Sequence, residues 1–231
     1  MEVQDAVGLL RSVAVRSGFR NLGIAIRLCC EACELARLDG VREVFLLTTT
    51  ASGFFEQLGF APVSRSSAPA DIQATREFAE LCPESSVLMH RRLDDPADRA
   101  AVMRLRSAYE AFLRGDVADL QSMLCDHAVY HLPGRHLGGG RLVGWDAIVG
   151  RAIEAAGWCD ALPSARVLDT LGNATAVVTR EAFAARKGGR VLSQQVCVVW
   201  RFEGARCVEL WAQFEDQDAC DTFWADWRPV G

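Results

Sequence analysis

The six residues Arg20–Ala25 carry the clearest chemical signal in this chain. They lie between a predicted strand, Leu9–Val15, and an amphipathic segment that predicts a helix, Leu22–Leu38. A helix N-terminus presents unpaired N–H groups and the positive end of the helix dipole, so it attracts anions. Gly23 lets a phosphate approach the backbone closely, and the small Ala25 keeps the helix near the turn. The segment predicts a phosphate-binding turn; an ordinary strand-to-helix turn with a glycine is the alternative, with comparable weight.

His131 is a second candidate for chemistry. It alternates with core residues in a predicted strand, Ala128–Leu132, and an imidazole titrates near neutral pH. It is therefore a candidate general base at the mouth of a pocket. The alternative is a histidine whose hydrogen bonds are satisfied inside the strand layer.

Tryptophans and glycines surround this histidine in the sequence. Four tryptophans of the same half could line an apolar pocket or belong to the core and a dimer interface: Trp145, Trp200, Trp211 and Trp224. Arg135, His136 and the glycines Gly138–Gly140 predict a mobile loop that covers such a pocket. Asp216 follows the last predicted strand and is expected to cap a C-terminal helix.

Composition limits the possible functions. The chain has 231 residues, half of them hydrophobic, and a net charge of -5 with acids and bases interspersed. This balance argues against nucleic-acid binding and gives no reason to expect membrane attachment. The N-terminus lacks the pattern of a signal peptide. Nine cysteines, an odd number, favour buried thiols in a cytoplasmic protein over a disulfide framework, and no metal site is expected.

The predicted elements fall into two parts. After the long helix, Val44–Leu47 predicts a buried strand, Ala51–Leu58 and Ala70–Leu81 predict helices, and Ser86–Arg91 predicts a strand. The order strand, helix, strand implies a parallel pair with a right-handed crossover. The charged segment Asp94–Pro96 marks a boundary, which gives modules of residues 1–93 and 94–231.

The second part predicts helices first and an antiparallel meander afterwards, an α+β order. The helices are expected at Val102–Leu113, Val117–Leu124 and Trp145–Ala156, and the later strands at Ala165–Leu171, Ala174–Phe183, Val191–Phe202 and Cys207–Phe214.

The first part resembles the GNAT superfamily of acetyl-CoA-dependent N-acetyltransferases, and most closely its arsenic-resistance branch. The resemblance covers residues 7–92 and rests on four segments: Leu10–Val15, Leu46–Thr50, Gly53–Phe60 and Glu77–Pro83, together with the turn described above. It implies an acetyl-CoA cofactor, with Val13 and Val15 along the pantetheine arm. It also implies that the pyrophosphate is cradled by Arg20, Asn21, Leu22, Gly23, Ile24 and Ala25.

Two departures from that family bear on activity. The family has three strands and two helices before this turn, whereas about twenty residues precede it here. The position that often holds a tyrosine as general acid is Phe55, which has no proton to give. Direct attack by an amine needs only positioning and carbonyl polarisation, so activity is not excluded. Because the strand Leu9–Val15 lacks its usual neighbour, we expect a second copy or the C-terminal module to cover this sheet edge.

Three cysteines lie on the predicted first helix. Cys29 and Cys33 share one helical face, and Cys30 points about a quarter turn away. Because arsenic binds thiolates, a metalloid site is one interpretation, and small buried helix residues are the favoured alternative.

The second part resembles the SnoaL-like and ketosteroid-isomerase-like family, whose fold is the cone-shaped α+β barrel of nuclear transport factor 2. The matching segments are Tyr109–Asp116, Asp126–Gly134, Val143–Ile148 and Val208–Gln217. By position, the isomerase base falls on His131, the oxyanion-hole tyrosine on or beside Tyr109, and the oxyanion-hole aspartate on Val198. Since valine cannot donate a hydrogen bond, steroid-type isomerisation is not expected.

The sequence leaves three functional hypotheses. The first is a GNAT-type acyltransferase fused to a SnoaL-like module that binds a small molecule. The second is a non-catalytic protein in which the first half binds acetyl-CoA or nothing, while the cone module binds a small ligand or forms a homodimer. The third is an isomerase or hydrolase that depends on His131.

Overall fold

The computed structural model describes residues 1–136 and 138–228 of the chain, which forms two compact units. Unit 1 comprises Met1–Arg20, Ile24–Ala101 and Leu171–Ala176. Unit 2 comprises Asn21–Gly23, Val102–Thr170 and Val177–Gly231. Both units contain helices and a sheet, so the α+β class predicted from the sequence is confirmed.

Unit 1 is built on a five-stranded sheet. The strands are β1 (Glu2–Gln4), β2 (Val7–Leu9), β3 (Glu43–Thr48), β4 (Ala61–Val63) and β5 (Val87–Arg92), in the spatial order β1-β2-β3-β5-β4. The helices are α1 (Ile24–Leu38), α2 (Ser52–Glu56) and α3 (Ala70–Gln73), followed by a π-helical turn at Glu77–Leu81. The predicted helix Ala70–Leu81 is therefore interrupted, and the sequence did not predict β1 or β4.

The β2–α1–β3 unit has the predicted parallel pairing, with Leu9 opposite Phe45. Helix α1 forms because its small and apolar residues recur on one face, and the buried ones are Ile26, Cys29, Cys30, Cys33 and Ala36. The helix stops before Gly40, whose φ of 93° suits a glycine.

The strand predicted at Leu9–Val15 is wrong in its range, because β2 ends at Leu9. One further bond, from the Leu10 N–H to the Phe45 carbonyl at 2.8 Å, closes the ladder. Ser12 has a φ of 59°, a conformation incompatible with a continuing strand.

The edge of β2 is covered by the chain's own first residues. Strand β1 pairs antiparallel with β2, with Glu2 opposite Leu9 and Gln4 opposite Val7. The expectation that a second copy or the C-terminal module covers this edge was therefore wrong, because an N-terminal hairpin provides the backbone partners.

Unit 2 is built on a six-stranded sheet with the order β7-β6-β11-β10-β9-β8. These strands are β6 (Leu124–Leu132), β7 (Gly140–Val143), β8 (Ser164–Gly172), β9 (Ala176–Lys187), β10 (Arg190–Glu203) and β11 (Arg206–Phe214). Its helices are α4 (Pro96–Leu113, whose first residues belong to unit 1), α5 (Ala118–Met123), α6 (Gly144–Trp158) and α7 (Gln217–Trp224). The Asp216 side chain caps α7 by accepting from the Ala219 N–H at 2.8 Å, as predicted.

The two faces of this sheet differ in what they carry. We call inner the face that packs with α4 and α5 into one apolar core; it includes Val198, Trp200 and Leu210. The alternate side chains of these strands point the other way and form the outer face, which includes Arg201, Glu209 and Trp211. The register of β6 on β11 places Tyr130 on the inner face and His131 on the outer face.

None of the helices within the described residues combines the length and apolarity needed to cross a bilayer.

Candidate functional site

The predicted phosphate-binding turn leads directly into α1. Asn21 has a φ of 62° and Gly23 a φ of 69°, whereas Leu22 and Ile24 have negative φ. Positive φ at two nearby positions reverses the chain direction just before the N-terminus of α1, where unpaired N–H groups attract anions. No acceptor among the described residues takes the N–H groups of Leu22 through Ala25. The backbone of this turn therefore offers unpaired N–H donors at the N-terminus of a long helix.

The carbonyl groups of the same turn are held by two side chains of β11. Trp211 Nε1 donates to the Asn21 carbonyl at 3.1 Å, and Gln213 Nε2 donates to the Leu22 carbonyl at 2.8 Å. The Trp211 side chain also lies about 3.0 Å from the point where a Cβ of Gly23 would stand. These contacts fix the turn through its carbonyl groups and leave its N–H groups available.

The residues predicted along a pantetheine arm follow the end of β2. Val13 and Val15 are half-buried and alternate with exposed neighbours, although this segment pairs with no strand. The backbone carbonyl of Phe45 points toward β2. Because backbone groups in a strand point to the same side at every second residue, the N–H and carbonyl of Leu47 also point to that side. Among the described residues, Leu47 has no partner on that side. The two chain segments diverge here and leave backbone groups free for the amides of an extended ligand.

Phe55 and Arg20 occupy different surroundings. The Phe55 ring is buried and packs edge-to-face against Phe54 and Phe60 at centroid distances of 5.1 and 5.8 Å. It offers no proton for a departing thiolate. Arg20 is exposed, and its Nε lies 3.5 Å from the Val15 carbonyl, so its guanidinium remains close to the turn.

The cysteines of α1 are core residues. Cys29, Cys30 and Cys33 are all at most 5% exposed, and the Cys30 thiol points to the Ala176 carbonyl at 3.8 Å. Burial raises the pKa of Cys29 to about 12 and also raises the pKa of the other two thiols. Within the described residues, no group of three His, Cys, Asp or Glu side chains is arranged to hold a metal ion. This environment favours protonated buried thiols.

His131 is part of a polar network on the outer face. Its Nε2 lies 2.8 Å from Glu209 Oε1, and Arg201 donates twice to Glu209 Oε2 at 3.2 Å. The imidazole stacks on Trp211 at 5.4 Å. If Nε2 donates to the carboxylate, Nδ1 is the atom that can accept a proton.

Tyr109 lies on the other side of the sheet. Its hydroxyl donates to both carboxylate oxygens of Glu181, at 3.0 and 3.2 Å. Burial raises the pKa of this tyrosine well above its usual value, so it remains a donor. The structure thus separates the two predicted catalytic residues, Tyr109 and His131, onto opposite faces of one sheet.

Glu181 is not among the site residues predicted from the sequence. This carboxylate is 5% exposed, and burial raises its pKa to about 7, while the hydrogen bond from Tyr109 lowers it. The position assigned to an oxyanion-hole aspartate is Val198, which is buried on the inner face, so the carboxyl group comes from β9 instead. The alternation of side chains along β9 could have predicted its burial, because Glu181 points to the same face of the strand as the core residues Val177 and Phe183.

The loop predicted to act as a lid is tied to α7 and α6. The Arg135 N–H donates to Asp221 Oδ1 at 3.0 Å, and Arg151 donates to the Gly138 carbonyl at 3.0 Å. Leu137 lies outside the described residues. Burial lowers the pKa of His136, which is therefore neutral at physiological pH.

The four predicted pocket tryptophans do not form one group. Trp200 and Trp145 pack with the inner core, Trp224 packs in a second cluster with Trp158, and Trp211 lies on the outer face. Trp200 Nε1 donates to Thr179 Oγ1 at 3.0 Å, which satisfies its buried N–H.

Comparison with known proteins supports both resemblances. Residues 105–210 match the family described as SnoaL-like domain, and residues 2–60 match the acetyltransferase (GNAT) family. The predicted relationship of each half is therefore confirmed at this level, and the arsenic-resistance branch stays a prediction.

Individual relatives cover parts of the chain. An uncharacterized protein of Mycobacterium tuberculosis is 28% identical over 129 residues, which are 55% of this chain and 98% of that protein. An uncharacterized N-acetyltransferase of Chlorobaculum tepidum is 40% identical over 63 residues, which are 27% of this chain and only 40% of that protein. Among solved structures, Bal32a from a soil-derived mobile gene cassette is similar with a TM-score of 0.51 and 26% identity, over 55% of this chain and 98% of that chain.

Proposed function

We propose that this protein binds acetyl-CoA through the turn Arg20–Ala25 and acts as a GNAT-type N-acetyltransferase whose second module binds a small molecule. The observation that carries the proposal is the turn itself, with alternating φ values, free N–H groups at a helix N-terminus and an adjacent exposed arginine. The match of residues 2–60 to the acetyltransferase family supports it.

Several residues would hold the coenzyme. The N–H groups of Leu22–Ala25 and the Arg20 guanidinium suit a diphosphate, since both are donors in a position of positive potential. Val13, Val15 and the free backbone of Leu47 suit the extended arm. When bound, acetyl-CoA would supply an activated acyl group, and the chain would contribute position and carbonyl polarisation.

No side chain is assigned as the general acid of this reaction. Phe55 is apolar and packs against aromatic rings. The side chain at this position therefore cannot donate a proton to the departing thiolate. This observation favours a second candidate, a protein that binds the coenzyme without transferring the acyl group.

Calorimetric titration of acetyl-CoA tests the binding step. We expect Arg20→Glu to weaken binding by about 10- to 100-fold, because it replaces a charge-assisted contact with repulsion of the diphosphate. Arg99→Glu makes the same charge change at an exposed position outside the turn and is the matched control. Absence of binding to the unmodified protein, or equal weakening by both substitutions, would contradict the proposal.

Activity is measured separately as release of free coenzyme thiol with a panel of primary amines. Turnover that Arg20→Glu reduces supports the acetyltransferase, whereas tight binding without turnover supports the non-catalytic alternative. An activity lost in His131→Ala but unchanged in Arg20→Glu would instead support chemistry at the His131–Glu209 pair.

A further inference from the structure

Glu181 is a buried carboxylate without a cationic partner. Its one hydrogen-bonding side chain is that of Tyr109, and burial, opposed by that hydrogen bond and without a nearby cation, accounts for its raised pKa within the described chain. Burying an ionised carboxylate costs several kcal/mol unless a charge or several donors compensate it. One tyrosine hydroxyl compensates only part of that cost, so the site lacks a positive partner.

The core between the inner face and helices α4 and α6, which contains Glu181, carries aromatic side chains that are not fully buried. Tyr109, Phe112, Tyr130, Trp145 and Phe183 pack against the buried core but remain only partly buried. No hydrogen bond among the described residues involves the Tyr130 hydroxyl, although Tyr130 lies within electrostatic range of the Glu181 carboxylate. Aromatic surface beside a lone carboxylate is the combination that recognises an ammonium group, because both ring faces and carboxylate attract a cation.

We infer that the inner face of unit 2 binds an apolar molecule that carries a protonated amine, with the ammonium group at Glu181. Tyr109 holds the carboxylate by donating to both of its oxygens, and the aromatic side chains contact the apolar body of the ligand. This amine site lies in unit 2 and would bind its ligand whether or not a coenzyme binds at Arg20–Ala25.

The charge state of Glu181 gives the inference a pH dependence. The titratable groups near it are Tyr109 from α4 and Tyr130 from β6, and Cys220 from α7 lies near Tyr130. Burial raises the pKa of both tyrosines and raises the pKa of Cys220 to about 12, so none is charged at neutral pH. Only Glu181 therefore titrates here near pH 7, and a cationic ligand that binds the ionised form must displace its proton below that pH.

The test is calorimetric titration of the coenzyme-free, full-length chain with 2-phenylethylamine and its neutral isostere 2-phenylethanol at pH 8. We expect the amine to bind about tenfold more tightly than the alcohol, the gain of a charge-assisted contact. Glu181→Gln keeps the size of the side chain and an acceptor for Tyr109, so it should remove the preference for the amine and leave alcohol binding within about twofold. Glu203→Gln neutralises an exposed carboxylate at the end of β10 and should change neither affinity.

Proton release is a second readout. At pH 6.5, titration in two buffers of different ionisation enthalpy should show that amine binding releases protons from the unmodified protein and none from Glu181→Gln. Near-UV circular dichroism verifies that each variant is folded. Equal affinities for amine and alcohol, no binding of the amine, or an amine preference that persists in Glu181→Gln would each overturn the inference.

Discussion

At the scale of single residues, environment decides which groups can do chemistry. Glu181 and Glu209 are both carboxylates on the sheet of unit 2, but Glu209 accepts from Arg201 and His131, whereas Glu181 accepts only from Tyr109. The paired carboxylate has its counter-charge within the protein. The unpaired carboxylate must stay protonated, destabilise the fold when it is ionised, or pair with a cationic group of a ligand.

Because the pKa of Glu181 is raised, we expect the free energy of unfolding to depend on pH. Its pKa in the folded protein, about 7, exceeds the ordinary value of 4.5, so the folded state binds the proton more tightly than the unfolded state. This proton binding stabilises the folded protein at low pH, and the stabilisation is lost as pH rises from 4.5 to 7. The Glu181→Gln variant has no titrating group at this position, so its stability does not decrease for this reason as pH rises. The free energy of unfolding of the variant, relative to the unmodified protein, should therefore rise by about 2 to 3 kcal/mol between pH 5 and pH 8.

Urea unfolding at a series of pH values measures this difference. Glu203→Gln, at an exposed carboxylate, should follow the pH profile of the unmodified protein. A Glu181→Gln profile parallel to that of the unmodified protein would mean that the carboxylate does not titrate near neutral pH.

At the scale of elements, the turn before α1 depends on side chains of β11. Trp211 and Gln213 are two residues apart, so they project from the same face of the strand and reach adjacent carbonyl groups of the turn. A strand far along the sequence thereby orders a turn that belongs to the start of the chain.

Trp211→Phe tests this dependence, because it retains an aromatic ring and removes the N–H donor to Asn21. One lost hydrogen bond of this kind is worth about 0.5 to 1.5 kcal/mol, so we expect acetyl-CoA affinity to fall by about two- to tenfold. Trp158→Phe, in the separate aromatic cluster with Phe223, is the control and should leave the affinity unchanged. An unchanged affinity in Trp211→Phe would show that the turn is ordered without this bond.

Across the whole molecule, two parts of one chain resemble different families. The match to the acetyltransferase family ends at residue 60, and the match to the SnoaL-like family begins at residue 105. The first module offers donors for a diphosphate, and the second offers a buried carboxylate among aromatic rings. If both proposals hold, one chain binds an acyl donor and an amine, the two reactants of N-acetylation.

The homodimer expected from the sequence is also a property of the whole molecule. Sedimentation velocity at micromolar concentration should give a mass twice that of the 25.3 kDa chain. A single species at the chain mass would contradict this prediction.

The sequence alone predicts the resemblance of each half to a known family, the α+β class, helix α1 and the longer strands of both sheets. These follow from local patterns, since apolar periodicity and turn residues act over a few neighbouring positions. It also predicts a phosphate-binding turn at Arg20–Ala25, because that motif is contiguous, and coenzyme binding there is our proposal.

Which faces of the strands point inward depends on how the helices pack on the sheet. Alternation shows that Tyr130 and His131 point to opposite sides, but only the packing of α4 and α5 makes the side of Tyr130 the interior. The same packing brings Glu181 to Tyr109 across 72 positions and leaves the carboxylate without a cation. Such proximity depends on how distant elements pack, which no short stretch of sequence encodes.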